Sequence, residues 1–179
     1  MYSFRNEYSE GAHPKVLQAL ADTNLRQTVG YGMDPCCQAA ADTIRRLCAA
    51  PDAAVHFLVG GTQVNLVTID AFLQSYEAVV AAQTGHVSTH ETGAIEATGH
   101  KVCTVESPDG KLTPALVESV LAGHNGTEHM VLPRMVYISD TTEIGTVYTR
   151  AELAALRQCC DVHGLFLYLD GARLGSALT

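Results

Sequence analysis

Short apolar runs alternate with capped, helix-periodic segments along most of this 179-residue chain, and that alternation leaves few architectures open. Asp34-Pro35 sets an N-cap before a proline at the first helical position, and the segment through Ala50 carries Ile44, Leu47 and Cys48 on one face, which predicts a helix. AVHFLVG (54–60) is an apolar run that ends at glycines, and TQVNLVTIDAFLQ follows with helical periodicity, so strand, tight turn and helix are expected in that order. The same order recurs with AVVAAQ near residue 80 as a strand, a helical segment from His86 to about Thr98, KVCTVES as a strand and a helix from Thr113-Pro114 to about Ala122. RMVYIS reads as the next strand, and Thr149 with Glu152 forms a capping box that starts a helix running to His163 and stopping at Gly164. LFLYLD then reads as a strand apolar on both faces, as parallel strands covered by helices are. The whole predicts one three-layer α/β unit, without repeat or linker, around a mainly parallel sheet.

Nineteen acidic against eleven basic residues give a formal charge of -8, which repels nucleic acid and anionic membranes at long range. No apolar run approaches the roughly 20 residues that span a bilayer, and MYSFRNEYSEGAHP has no signal-peptide core, so a cytoplasmic protein is expected. The cysteines stand at 36, 37, 48, 103, 159 and 160 without C-x-x-C spacing, and are expected to be reduced and largely buried.

In such sheets ligands bind beyond the carboxyl ends of the strands, and three constellations fall there. In VGGTQVN, Gly60 and Gly61 leave the backbone unencumbered before a helix start that Thr62 can cap. Amides at that start, with donors from Thr62 and Gln63, suit a phosphate; an ordinary glycine turn is the plain alternative. In GHVSTHETG, His86 and His90 lie four apart on one helical face beside Glu91, a spacing open to a metal ion, to packed or capping histidines, or to contact with an aromatic ligand. In LDGARLG, Asp170 leaves a buried strand and needs a cationic partner. Either Arg173 pairs with it, or Asp170 faces a protonated ring nitrogen while Arg173 forks onto a carboxylate.

Taken in order, YGMDP (31–35), GTQVN (61–65) and HGLFLYLDGAR (163–173) resemble the Y-G-x-D-P, G-T-x-x-N and H-G-x(5)-D-G-A-R elements of the threonine aldolase and β-eliminating lyase family. These are pyridoxal phosphate (PLP) enzymes of the aspartate aminotransferase-like fold. The resemblance implies the large domain of a PLP fold-type I enzyme, with Gly61, Thr62 and Gln63 on the cofactor phosphate and His86 over its ring. Asp170 would keep the ring nitrogen protonated, and Arg173 would bind the substrate carboxylate. Tyr31 would border the substrate, and His90 would handle a proton of the β-hydroxyl group. The implied reaction cleaves a β-hydroxy-α-amino acid to glycine and an aldehyde, in a homodimer or homotetramer. Elimination of a β-substituent is the alternative, and a metal-dependent hydrolase built on His86, His90 and Glu91 the more distant one.

Two departures stand out. Where relatives carry a carboxylate-binding serine, FRNEYSEG offers Asn6 or Ser9, and ISDTTEIGTVY differs from the family's Glu-Asn-Thr-His-Asn pattern. The family also needs a lysine, a few tens of residues beyond the aspartate, to bond the cofactor. This chain has Lys15, Lys101 and Lys111, the last two expected to be solvated surface charges. The 179 residues therefore read as an N-terminal segment plus most of a large domain, inactive alone, with a sheet edge left open to aggregation or intermolecular pairing.

Overall fold

The computed structural model describes Ser3, Asn6 and residues 8–179; Phe4, Arg5 and Glu7 of FRNEYSEG lie outside the described residues. The chain divides into two units, Met1–Phe57 and Leu58–Thr179.

The first unit holds α1 (Pro14–Thr23) and α2 (Pro35–Leu47). Asp34 Oδ1 caps α2 by accepting from the Cys36 and Cys37 amides at 2.9 and 3.0 Å, as expected. The helix stops at Leu47, three residues short of the predicted end, because Ala49 turns into left-handed backbone at φ 49°. The face carrying Ile44, Leu47 and Cys48 is exposed, and Ala41 is the only buried residue among those described in this unit.

The boundary falls within 54–60, which is not a strand. Its apolar composition suits a sheet, but a strand needs a ladder partner, and none pairs with it among the described residues.

In the second unit α3 (Gly61–Phe72) leads into a four-stranded sheet in the order β2-β1-β3-β4, formed by β1 (Glu77–Ala82), β2 (Lys101–Val105), β3 (Leu132–Ser139) and β4 (Phe166–Asp170). Every pairing is parallel. The period of two sorts the side chains between two cores. Val79, Ala81, Met135 and Tyr137 pack with Ile69 and Leu73, as do Val87 of α4 (His86–Thr89) and Ile95 of α5 (Ala94–Ala97). Val80, Ala82, Val136 and Ile138 face the other way, against Val117 of α6 (Pro114–Ala122) and Leu156 and Cys160 of α7 (Arg150–His163). Helices thus cover both faces, as the predicted three layers require. The register slips between Ala78 and Val79, opposite Pro133, whose missing N–H cannot serve a ladder. A last short helix, α8, spans Leu174–Ala177.

Further expectations need correction. The segment from His86 to Thr98 is two one-turn helices, because Thr92 and Gly93 take left-handed backbone at φ 53° and 76°. LFLYLD is not buried on both faces: among the described residues β4 pairs only with β3, Phe166 is exposed and Leu167 to Asp170 are half-buried. The capping box of Thr149 and Glu152 and the left-handed stop at Gly164 are as predicted. Cys103, Cys159 and Cys160 are buried, but Cys36 and Cys48 are exposed.

Candidate active site

The chain leaves β1 through α4 and α5 on one face, and leaves β3 through α7 on the other. The two connections diverge at the carboxyl ends of adjacent strands, which opens a crevice there. Gly85 makes the turn out of β1 tight: a Cβ at that position would lie 3.0 Å from the Ala82 carbonyl oxygen. The His86 amide then donates to Glu143 Oε1 at 3.1 Å, tying the loop after β1 to the loop after β3.

Alternation along the strands chooses what faces this crevice. Tyr137 and Tyr168 are register partners on the α3 side, and Ser139 and Asp170 are the partners two residues on. Asp170 Oδ2 accepts from the Tyr137 hydroxyl at 2.7 Å and from Asn65 Nδ2 at 3.1 Å, and its Oδ1 accepts from the Ala172 amide at 3.0 Å. Asn65 is buried on α3 and joins the parts: its Nδ2 also donates to Glu91 Oε1 at 2.5 Å, while its Oδ1 accepts from the Tyr168 hydroxyl at 2.5 Å. Two carboxylates on one side and a hydroxyl on the other leave the amide a single orientation that satisfies every partner. Burial, then the charge of Asp170, pushes the Tyr168 hydroxyl up to about 12, and the same causes in the same order raise Tyr137 further. Both phenols stay protonated and donate.

His86 sends Nδ1 to Glu91 Oε1 at 2.7 Å, where the carboxylate accepts, so Nδ1 carries the proton. Its ring lies 5.5 Å from that of His90, with 22° between the planes. His90 Nδ1 is itself paired with Thr89 Oγ1 at 2.6 Å. His86, His90 and Glu91 are therefore neighbours but not a chelate: His86 Nδ1 is spent on Glu91 itself and His90 Nδ1 on Thr89, and the ligand atoms of the three do not converge. Glu91 Oε2 is buried without a hydrogen-bond partner.

Of the alternatives open to Arg173, an ion pair with Asp170 is not the one seen among the described residues; its cationic head turns to Thr141 and Glu143. Its Nε and Nη2 fork onto the Thr141 carbonyl oxygen at 3.2 and 3.1 Å, and Nη2 lies 3.3 Å from Glu143 Oε1, which also accepts from Ser139 Oγ at 2.6 Å. The reason is charge. Asp170 is already held by three donors, whereas Glu143 at the loop tip takes Arg173 as its cation beside the His86 amide and the Ser139 hydroxyl.

At the start of α3 the N-cap is Gly60, with no side-chain cap, and Thr62 does not cap the helix as expected. Gln63 Oε1 reaches back to the Val59 amide at 2.9 Å. Gly61, Thr62 and Gln63 are exposed, and nothing lies within 4 Å of a Cβ placed at Gly60 or Gly61, so the first amides of a 12-residue helix are open to an anion. Tyr31 lies in the first unit, fully exposed, with φ 62°. In that unit Ser9 Oγ donates to Asn6 Oδ1 at 2.8 Å. Of the lysines, Lys15 belongs to the first unit and Lys101 opens β2 at the end of the sheet away from the crevice. Lys111 is not a solvated surface charge, because Glu152 Oε1 accepts from its Nζ at 2.5 Å.

Asn65 appears in the sequence only as the last letter of G-T-x-x-N; Tyr137, Tyr168 and Glu143 carry no sequence signal beyond their period. Among the described residues, three carboxylates, Glu91, Glu143 and Asp170, share this crevice with the Arg173 guanidinium and the His86 and His90 imidazoles. The donor set fits PLP on two grounds: the excess negative charge suits a protonated heterocycle, and the open helix start suits its phosphate.

Residues 10–179 match the family model described as Beta-eliminating lyase. The chain is 36% identical over 176 residues to a low specificity L-threonine aldolase of Pseudomonas sp. and 35% identical to that of Pseudomonas aeruginosa, covering 97% of this chain and 50% of each relative. It superposes on a threonine aldolase from Leishmania major with a TM-score of 0.97 at 56% identity, covering 99% of this chain and 52% of that one. An aminotransferase from Mycobacterium tuberculosis shares the fold, with a TM-score of 0.71 at 20% identity, over 93% of this chain and 45% of its own. The fold is thus that of PLP fold-type I enzymes, and the chain spans about half the length of the curated relatives it matches. Motifs, fold and crevice converge with these likenesses: the chain belongs to the beta-eliminating lyase family, which includes the threonine aldolases.

Proposed function

We propose that the whole protein is a PLP-dependent carbon–carbon lyase that cleaves a β-hydroxy-α-amino acid to glycine and an aldehyde. These 179 residues would supply the N-terminal segment and most of the large domain, in a homodimer or homotetramer. When bound, PLP supplies the electron sink that stabilises the carbanion left by cleavage. The observation that carries the reading is the Asp170 carboxylate, fixed at the crevice by Asn65, Tyr137 and the Ala172 amide. So held, it would accept a hydrogen bond from a protonated ring nitrogen without moving and keep that nitrogen charged, which is preorganised stabilisation.

Gly61, Thr62 and Gln63 hold the phosphate at the start of α3, and His86, its tautomer set by Glu91, covers the ring. Arg173, aimed by the Thr141 carbonyl, binds the substrate carboxylate and so orients the bond to be broken. His90, beside His86, takes the proton of the β-hydroxyl group, and Tyr31 borders the substrate. In the second unit Lys101 opens β2 and Lys111 is held by Glu152, so neither serves as the cofactor's lysine beside Asp170, and the 179-residue chain alone does not turn over.

The test is Asp170→Asn in the full-length protein with threonine as substrate. Removing the charge that faces the ring lowers kcat by about 100-fold or more. Unchanged turnover removes the assignment. A second assay mixes the 179-residue chain with PLP and threonine, and steady release of glycine and acetaldehyde there overturns the claim of inactivity. β-Elimination has one observation in its favour, the family description itself. A panel of β-substituted amino acids on the full-length protein separates the two reactions.

A further inference from the structure

On the face of the sheet away from Asn65 and Asp170, α7 carries Cys159 and His163 four residues apart, and α6 carries Glu118 opposite them. The thiol sulfur, an imidazole nitrogen and a carboxylate oxygen of these three residues all lie within 4.8 Å of one another. His163 Nε2 and Glu118 Oε1 are 3.6 Å apart. In a tetrahedral zinc centre with bonds of about 2.0 to 2.2 Å to nitrogen and oxygen, the edge between two such ligands is about 3.4 Å, and the edge from sulfur to either is about 3.6 Å. Glu118 and His163 are exposed, so both can close the remaining gap by rotamer adjustment, while Cys159 is buried at the helix contact and fixes the third corner. Among the described residues no other group of three or more such side chains converges in this way.

We propose that Glu118, Cys159 and His163 form a zinc site that clips α6 to α7, with solvent as fourth ligand. Sulfur and imidazole donors select a borderline-soft ion over Mg2+ and Ca2+, which take oxygen ligands. Binding forms a Zn–S bond as the S–H bond breaks, and the thiol proton passes to solvent. The last turn of α7 returns to the end of the sheet where β4 begins, so this site lies away from the crevice and serves the fold.

The test titrates untagged, chelator-treated protein with Co2+, then displaces it with Zn2+. One equivalent of Co2+ gives a thiolate-to-cobalt charge-transfer band and the visible bands of a four-coordinate ion; Zn2+ bleaches both, and Mg2+ in excess does not. Cys159→Ser abolishes the charge-transfer band. His163→Gln and Glu118→Gln, exposed positions whose replacement spares the core, each weaken affinity by more than the roughly 10- to 100-fold that loss of an outer-shell partner brings. Replacing the remaining accessible thiols by C36S, C37S and C48S together leaves the spectrum unchanged. Absence of stoichiometric binding, or a band that survives His163→Gln at undiminished affinity, overturns the site.

Discussion

The two units of the chain use the same local signals to opposite effect. In Met1–Phe57, α2 has an aspartate cap, a proline at its first position and arginines in its last turn, yet Ala41 is the only described residue buried there. In Leu58–Thr179, α7 has its capping box and glycine stop, and it also buries Leu156, Cys159 and Cys160 against the sheet. Capping decides where a helix begins and ends. Burial decides how much of the chain's stability it carries, because an isolated helix of 10 to 14 residues is marginal in water. The second unit should therefore dominate cooperative unfolding.

The largest expected effect sets the two units directly against each other. Leu156 is completely buried, and Leu156→Ala should destabilise the protein by about 2 to 5 kcal/mol in urea titration. Leu47→Ala, on the exposed face of α2, should stay within about 0.5 kcal/mol. Equal losses at the two positions would break the comparison.

A second contrast uses tyrosines. Tyr137→Phe removes a buried hydroxyl that donates to Asp170, and should cost about 1 to 3 kcal/mol. Tyr31→Phe, at a fully exposed side chain, should leave the urea midpoint unchanged. A matching shift for Tyr31→Phe would show that its hydroxyl is engaged in solution.

That second contrast also marks what the amino-acid order discloses. The sheet is legible because strand and helix periods, caps and glycine stops are local, and AVVAAQ, KVCTVES and RMVYIS all became parallel strands. AVHFLVG did not, since its composition promises a strand but pairing is a property of two segments. The break at Thr92 and Gly93 escaped because one threonine in left-handed backbone leaves little compositional trace. At the crevice, Asp170, His86 and Arg173 stand out by type, but the partner of each is set by a neighbouring strand or loop. Arg173 therefore turned to Glu143, and Asp170 to Asn65 and Tyr137.

Caps give the third and smaller contrast. Thr149→Ala removes a hydroxyl that accepts from the Glu152 amide and should cost about 1 kcal/mol in the cooperative transition. Asp34→Ala removes an equally well-formed cap, held below the ordinary carboxylate range by hydrogen bonds from Cys37, then Cys36. The loss there should appear as reduced protection of the α2 amides in hydrogen exchange, with the cooperative midpoint unmoved. A shift of that midpoint on Asp34→Ala would place α2 inside the cooperative unit.

The smallest effect is a dependence on acid, and its sign follows from one carboxylate. The hydrogen bond from Lys111, then those from the Thr149 amide and hydroxyl, lower Glu152 from 4.5 to about 2 in the folded protein. Between those values the unfolded chain binds a proton that the folded chain does not, so stability rises with pH across this window. The contribution is fully present above about pH 4.5 and is lost as the pH falls through about 2. Because more than a third of the Glu152 side chain is open to solvent, screening keeps the effect small, and added salt should reduce it further. Urea midpoints measured from pH 5 to pH 2 should fall less steeply in Lys111→Met than in the parent, since the cation that holds Glu152 ionised is gone. Parallel slopes would mean that the ion pair at the start of α7 adds nothing to the second unit beyond the capping box itself.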